Sequence, residues 1–148
     1  MHQSISKQPI AQACEKILSE INVDFVGLAL QNNDGPDVSW HYAAGNSNEK
    51  YKRISVRYGK GIAGKVISTG SSITINHFPE NIPGKALEYP IMLAEKLCYA
   101  FAVPILYNGV PKGVLLVGNR TNDSISEREQ NMIKQAAITL EGMLAGLL

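Results

Sequence analysis

The chain has 148 residues, 45% of them hydrophobic, with a formal charge of +1 from 14 basic and 13 acidic side chains. That length and apolar content suit one domain, residues 1–148, with a core of its own, and the near-neutral balance excludes a protein whose main task is to grip nucleic acid, which needs a basic surplus or stripe. The two cysteines, Cys14 and Cys98, are too few for a disulfide framework, MHQSISKQPI has no apolar signal segment, and Lys134 and Glu141 interrupt the apolar tail, so neither leader nor membrane span is expected and a cytoplasmic location is the default.

Taken in chain order, Pro9 suits a first helical turn, and Ile10, Cys14, Ile17, Leu18 and Ile21 follow it at helical spacing. VDFVGLALQN reads as a strand, NNDGPD as a turn around Asp34-Gly35, and VSWHYAAG as the returning strand. Alternation along that strand places Trp40 and Tyr42 on one side and His41 on the other. The polar NSNEKYKR and the basic residues Lys50, Lys52, Arg53, Arg57 and Lys60 read as a solvated loop face. YGKGIAGKVISTG then sets Gly59, Gly61 and Gly64 ahead of a helix near Ile62–Ile67, and SSITINHFP is a strand around Ile73 and Ile75. ENIPGKALEYPIMLAEKL is loop and short helix, broken at Pro83 and Pro90. Leu97–Leu106 and Val110–Arg120 form a hairpin about Asn108-Gly109, a favoured turn dipeptide.

The last helix opens with a capping box, Ser126 and Glu129. It carries one apolar stripe of Met132, Ala136, Leu140, Met143 and Leu147 and a second of Ile133, Ala137, Leu144 and Leu148. Two stripes are too wide for a single contact. One is expected on the sheet and the other on a partner, a homodimer built from the terminal helices, unless the N-terminal helix covers it. The element order predicts an α+β fold, a mainly antiparallel sheet with helices on its faces.

The glycine-rich loop enters a helix whose first N–H groups lack internal partners and carry the positive end of the macrodipole, so a small anion is the natural guest. It lacks the Walker pattern, because Lys65-Val66 stands where Lys-Ser/Thr is required. Gly59, Gly61 and Gly64 match the bare spacing of a dinucleotide site, but the preceding segment is polar and irregular rather than the first strand of a parallel βαβ unit. Glycines that merely shape a turn remain the plain alternative. His41 and His77 have no Cys/His spacing that supports zinc, so no metal and no cofactor are expected.

GKGIAGKVISTGSSITINHFPE and YAFAVPILYNGVPKGVLLVGNR resemble the central signature and the paired strands of GAF domains, over nearly the whole chain. The resemblance implies terminal helices on one face of the sheet and a ligand pocket built by loops and short helices on the other. Within the family, NHFPENIP is similar to a segment of the free methionine-(R)-sulfoxide reductases. That enzyme needs a thiol where this chain has Ala63 and another near Pro83, and an alanine cannot become a thiolate. Trp40, Ile62-Ala63 and Tyr89-Pro90-Ile91 instead match, in order, the site of the stand-alone nitrate receptors. That match implies a non-enzymatic nitrate sensor acting on an oxygen-sensing histidine kinase that controls nitrate respiration genes. The expected donors are the amides of Ile62 and Ala63, the Trp40 indole and the Tyr89 hydroxyl, with Ile91 as an apolar wall and no lysine or arginine beside them. Neutral donors in a semi-apolar pocket favour a lightly hydrated monoanion over phosphate or sulfate.

Overall fold

The computed structural model describes the backbone from His2 to Ala145 and side chains from Gln8 to Ala145. Helix α1 (His2–Glu20) leads into strands β1 (Phe25–Gln31), β2 (Val38–Ala44) and β3 (Ser55–Val56). Helix α2 (Gly61–Thr69), β4 (Ile73–Ile75), the short α3 (Pro90–Ala94), β5 (Tyr99–Tyr107), β6 (Val110–Asn119) and α4 (Glu127–Leu144) follow. The strands form one sheet in the order β3-β2-β1-β6-β5-β4, every neighbouring pair antiparallel.

The two central strands, β1 and β6, are covered on both sides, which is why FVGLAL and GVLLVG read as unbroken apolar runs rather than as alternation. On one face Val26, Leu28, Val103 and Leu115 pack against Ile10, Cys14 and Ile17 of α1 and Ile133, Ala137, Leu140 and Leu144 of α4. On the other, Phe25, Ala29, Val114 and Leu116 pack against Ile62, Val66 and Ile67 of α2 and Ile91 and Met92 of α3.

Several local expectations change. Pro9 lies inside α1 and does not start it; the helix begins earlier, and the stripe from Ile10 onward is the part seated on the sheet. On α4, Leu140 joins the buried face, while Met132, Ala136 and Met143 of the first stripe are half-buried against that core, Met132 and Ala136 lining a cleft between α4 and α1. Leu147 and Leu148 lie outside the described residues. The polar stretch after β2 contains a 3-10 turn, Lys50–Arg53, that buries Tyr51, and it is followed by the edge strand β3. The Ser126–Glu129 capping box forms as expected, with Glu129 N–H donating to Ser126 Oγ at 3.1 Å and Ser126 N–H to Glu129 Oε1 at 2.9 Å.

Strand β2 departs from simple alternation. Leu28 faces Tyr42 while Ala29 faces Trp40, so His41 is an extra residue, a β-bulge. The bulge sends Trp40 into the core beneath α2 and α3 and leaves Tyr42 packed toward the terminal helices. The two aromatics therefore lie on opposite faces, not on one. Gly27 makes room for the indole: a Cβ there would lie 3.0 Å from Trp40 Cζ3 and 2.8 Å from Phe25 Cε2.

The glycine loop is shaped by contacts of chain on chain. A Cβ on Gly64 would lie 2.2 Å from the Arg57 carbonyl oxygen, and Gly59 N–H donates to the Gly64 carbonyl at 3.0 Å. Gly61 has φ +62°, and a Cβ there would lie 3.0 Å from the Glu88 carbonyl oxygen. What comes close to Gly61 and Gly64 includes backbone of the loop itself and of the segment ahead of α3.

Gly142, on exposed α4, has open space around its Cβ position. Two Gly→Ala substitutions should therefore move thermal stability in opposite directions. In Gly142→Ala the helix gains about 0.5–1 kcal/mol. In Gly64→Ala a similar propensity gain is outweighed by a backbone clash costing about 1–3 kcal/mol. Melting curves of both variants check this, and an equal shift of the same sign would refute it.

Candidate functional site

Trp40 from β2, Ile62 and Ala63 from the first turn of α2, and Tyr89 and Ile91 from the start of α3 meet in one cluster, each between 1% and 3% exposed. These residues come from three elements on the face opposite the terminal helices. Pro90 is half-exposed and lies outside that cluster; it occupies the first turn of α3, where its missing N–H costs nothing.

Two features leave hydrogen-bond donors available. Lys60, the N-cap of α2, offers no side-chain acceptor, and the N–H groups of Gly61, Ile62 and Ala63 make no hydrogen bond among the described residues. The indole N–H of Trp40 also makes no hydrogen bond among them; it is not one of the fully buried polar atoms left without a partner, Glu95 Oε2 and the Tyr99 hydroxyl, so the 3% of Trp40 that is exposed includes this nitrogen. The first turn of α2 contains no acidic residue to complement its dipole.

Tyr89 differs from expectation. Its hydroxyl donates to the Pro83 carbonyl at 3.0 Å and accepts from Lys65 Nζ at 2.8 Å, so its single proton is committed within the chain. The same contact corrects the picture of a site made of neutral groups alone, because a lysine sits against the ring that closes it. Lys65 lies one turn along α2 from Ile62, and in the sequence it registered only as the lysine of a Walker pattern that fails at Val66. Its position on the helix was readable; its meeting with Tyr89, 24 residues away, was not.

The C-terminal end of α3 is pinned by a second group with no sequence signal. Glu95 is fully buried and pairs with Arg120. Its Oε1 also accepts from Ser47 N–H at 2.8 Å and Ser47 Oγ at 3.1 Å, whereas Oε2 is buried without a partner. Arg120 Nε donates to the Glu95 carbonyl at 2.9 Å, and Asn48 Nδ2 to the Ala94 carbonyl at 2.9 Å. The segment from Pro83 to Glu95 is thus tied at both ends across the start of α2.

The two thiols lie elsewhere. Cys14 is buried beneath α1, where desolvation, with Glu15 adding to it, pushes its thiol up from 9.0 to about 12. Cys98 is half-buried and donates to the Arg120 carbonyl at 3.3 Å. Among the described residues no group of three or more His, Cys, Asp or Glu is placed to hold a metal ion, and no helix is long and apolar enough to cross a membrane.

The model of a GAF domain, described as GAF_2, matches residues 8–142. No curated protein matches the chain significantly. Among solved structures, a mutated NreA protein from Staphylococcus aureus, altered in its nitrate binding site, is 34% identical with a TM-score of 0.75, covering 83% of this chain and 91% of its own. A further mutated NreA structure from the same organism is 32% identical with a TM-score of 0.75, covering 86% of this chain and 98% of its own. The type II free methionine-R-sulfoxide reductase of Thermoplasma acidophilum superposes with a TM-score of 0.77 over 97% of this chain and 94% of its own, but at 13% identity it shares the fold alone. With the curled six-stranded antiparallel sheet and its four helices in place, the chain belongs to the GAF domain family.

Proposed function

We propose that this single-domain chain is a nitrate receptor, holding the anion among Trp40, Ile62, Ala63, Tyr89, Pro90 and Ile91 and performing no reaction. The observation that carries the reading is the uncapped start of α2, whose free N–H groups lie in the same cluster as Trp40, a residue 3% exposed whose indole N–H makes no hydrogen bond among the described residues. The similarity to NreA supports nitrate as the anion. By the same resemblance the partner is an oxygen-sensing histidine kinase of a two-component system for nitrate respiration, met in the cytoplasm. The free methionine-(R)-sulfoxide reductase alternative is disfavoured by Ala63, which stands in α2 with no sulfur, and by the protonated Cys14.

The chemistry suits a weak, planar monoanion. Each neutral donor contributes about 0.5–1.5 kcal/mol net, so the two α2 amides and the indole supply roughly 1.5–4.5 kcal/mol before the dipole and the ordering cost are counted. That corresponds to sensing at millimolar concentrations rather than to tight binding. Because five of the six residues are at most 3% exposed, the anion enters only when the cover moves. The cover is the segment around Asn81–Leu97. In the free protein Tyr89 holds the Pro83 carbonyl; in the occupied state its hydroxyl turns to the anion. Nitrate then biases two arrangements of this segment by its different affinity for each, and the kinase reads the result.

Calorimetry with nitrate should give a saturable heat, and Trp40 fluorescence should change over the same range; a flat response to tens of millimolar would reject the receptor. At pH 8 iodoacetamide should leave Cys14 unmodified in the folded protein and modify it once the chain is denatured, with Cys98 reacting first. Rapid native labelling of Cys14, or turnover of free methionine sulfoxide through NADPH and thioredoxin that is lost in Cys98→Ser, would favour the enzyme instead.

A further inference from the structure

Resting on the reading above only for who the partner is, we infer that the outer side of the covering segment is the docking face, and that it takes an acidic protein surface. Charge is divided unevenly along the chain. Residues 45–97, which build much of the loop-covered side, carry eight lysines and arginines against four acidic residues, whereas the rest of the chain carries six against nine. A chain that is nearly neutral as a whole is therefore basic in this stretch and acidic outside it. The fold gathers the basic residues around α3. The 3-10 turn Lys50–Arg53 packs against α3, and Asn48 Nδ2 donates to the Ala94 carbonyl at 2.9 Å. From another direction the start of α2 brings Lys60 toward the Glu88 carbonyl, which would lie 3.0 Å from a Cβ on Gly61. Lys85 and Lys96 belong to the covering segment itself, before and after its two short helical turns. The ion pairs within 4.0 Å among the described residues are Lys52–Glu49 and Arg120–Glu95. Lys50, Arg53, Lys60, Lys85 and Lys96 are exposed, with no carboxylate at that distance.

The same segment carries apolar anchors. Tyr89, Ile91 and Met92 turn inward and are at most 2% exposed. Leu87, in the 3-10 turn Ala86–Glu88, is 83% exposed, and Leu93, on α3, is 42% exposed. Solvent-facing leucines framed by cations without carboxylate partners give an interface both an anchor and a sign. The sign selects carboxylates opposite Lys50, Lys85 and Lys96. The exposed Glu80 and Glu88 decide the class of partner. A uniformly anionic bilayer or nucleic acid is repelled by them, whereas a protein surface sets a lysine or an amide opposite each. The inner side of the segment closes the candidate site, so a partner held on its outer side meets whichever arrangement the segment adopts.

The test is interferometry with the purified sensor region of the proposed kinase as probe, at low and high ionic strength. It compares the wild type with Lys50→Glu, Lys96→Glu and Leu87→Ser on the covering side, and with Arg128→Glu and Lys134→Glu on the exposed side of α4. Melting curves check that each variant is folded, and calorimetry with nitrate runs in parallel. The expected result is that each covering-side variant binds the probe about tenfold or more weakly. The loss from the two charge reversals should shrink at high salt, and that from Leu87→Ser should persist. The α4 variants should bind within about twofold of the wild type. Loss in the α4 variants, with the covering-side variants unchanged, overturns the docking face and leaves the kinase as partner. No binding of the probe to the wild type, alongside a saturable nitrate heat, overturns the docking proposal and the kinase together and leaves the nitrate receptor standing. Binding to phosphatidylglycerol vesicles or to duplex DNA that the covering-side variants abolish, without binding of the probe, overturns a protein as the occupant.

Discussion

An antiparallel sheet whose central strands are covered on both faces must find partners for the side chains of each face, and everything else in this molecule follows from how the two covers differ. The terminal helices meet one face with a continuous aliphatic layer, Ile10, Ile17, Ile133 and Leu140 over Val26, Leu28 and Leu115. The other face is covered by helices of nine and five residues and by loop. Short elements expose a large share of their backbone ends, and a core closed by such ends contains donors that a core closed by long helices does not. The candidate site is the point where the start of α2 meets the sheet.

Two backbone details place the polar groups. The bulge at His41 turns Trp40 toward the loop-covered face, and Gly27 on the neighbouring strand leaves space for its ring. The Arg57 carbonyl seated on Gly64 and the Glu88 carbonyl near Gly61 hold the start of α2 close to both the preceding loop and the segment ahead of α3. The glycines act on backbone packing, and the candidate site is a consequence of the approach they permit. An arrangement made by packing in this way holds the first amides of α2 fixed, while the Tyr89 hydroxyl remains engaged with Pro83.

The electrostatics are asymmetric. At one end of the covering segment a buried carboxylate, Glu95, meets Arg120 and Ser47, so charge is neutralised where the segment must stay attached. At the other end Lys65 meets only a hydroxyl. Breaking a buried ion pair strands a charge and is strongly destabilising, whereas exchanging one hydrogen bond of a half-exposed ammonium for another is nearly neutral. The Tyr89 end is the one free to change partners.

Residue order by itself determined the kind and succession of the main elements. Period-2 and period-3.6 patterns, the Asn108-Gly109 turn and the Ser126–Glu129 box depend on contacts within a few residues, and these appear where the sequence places them. It also marked Trp40, Ile62, Ala63, Tyr89 and Ile91, which the fold does gather. Only the tertiary structure decided that Trp40 and Tyr42 part company, that Tyr89 is engaged by Pro83 and Lys65, and that Glu95 finds Arg120. A bulge is a choice between two strands, and the lysine–tyrosine and glutamate–arginine meetings join positions 24 and 25 residues apart. No local propensity encodes a contact whose energy exists only after the chain has closed upon itself.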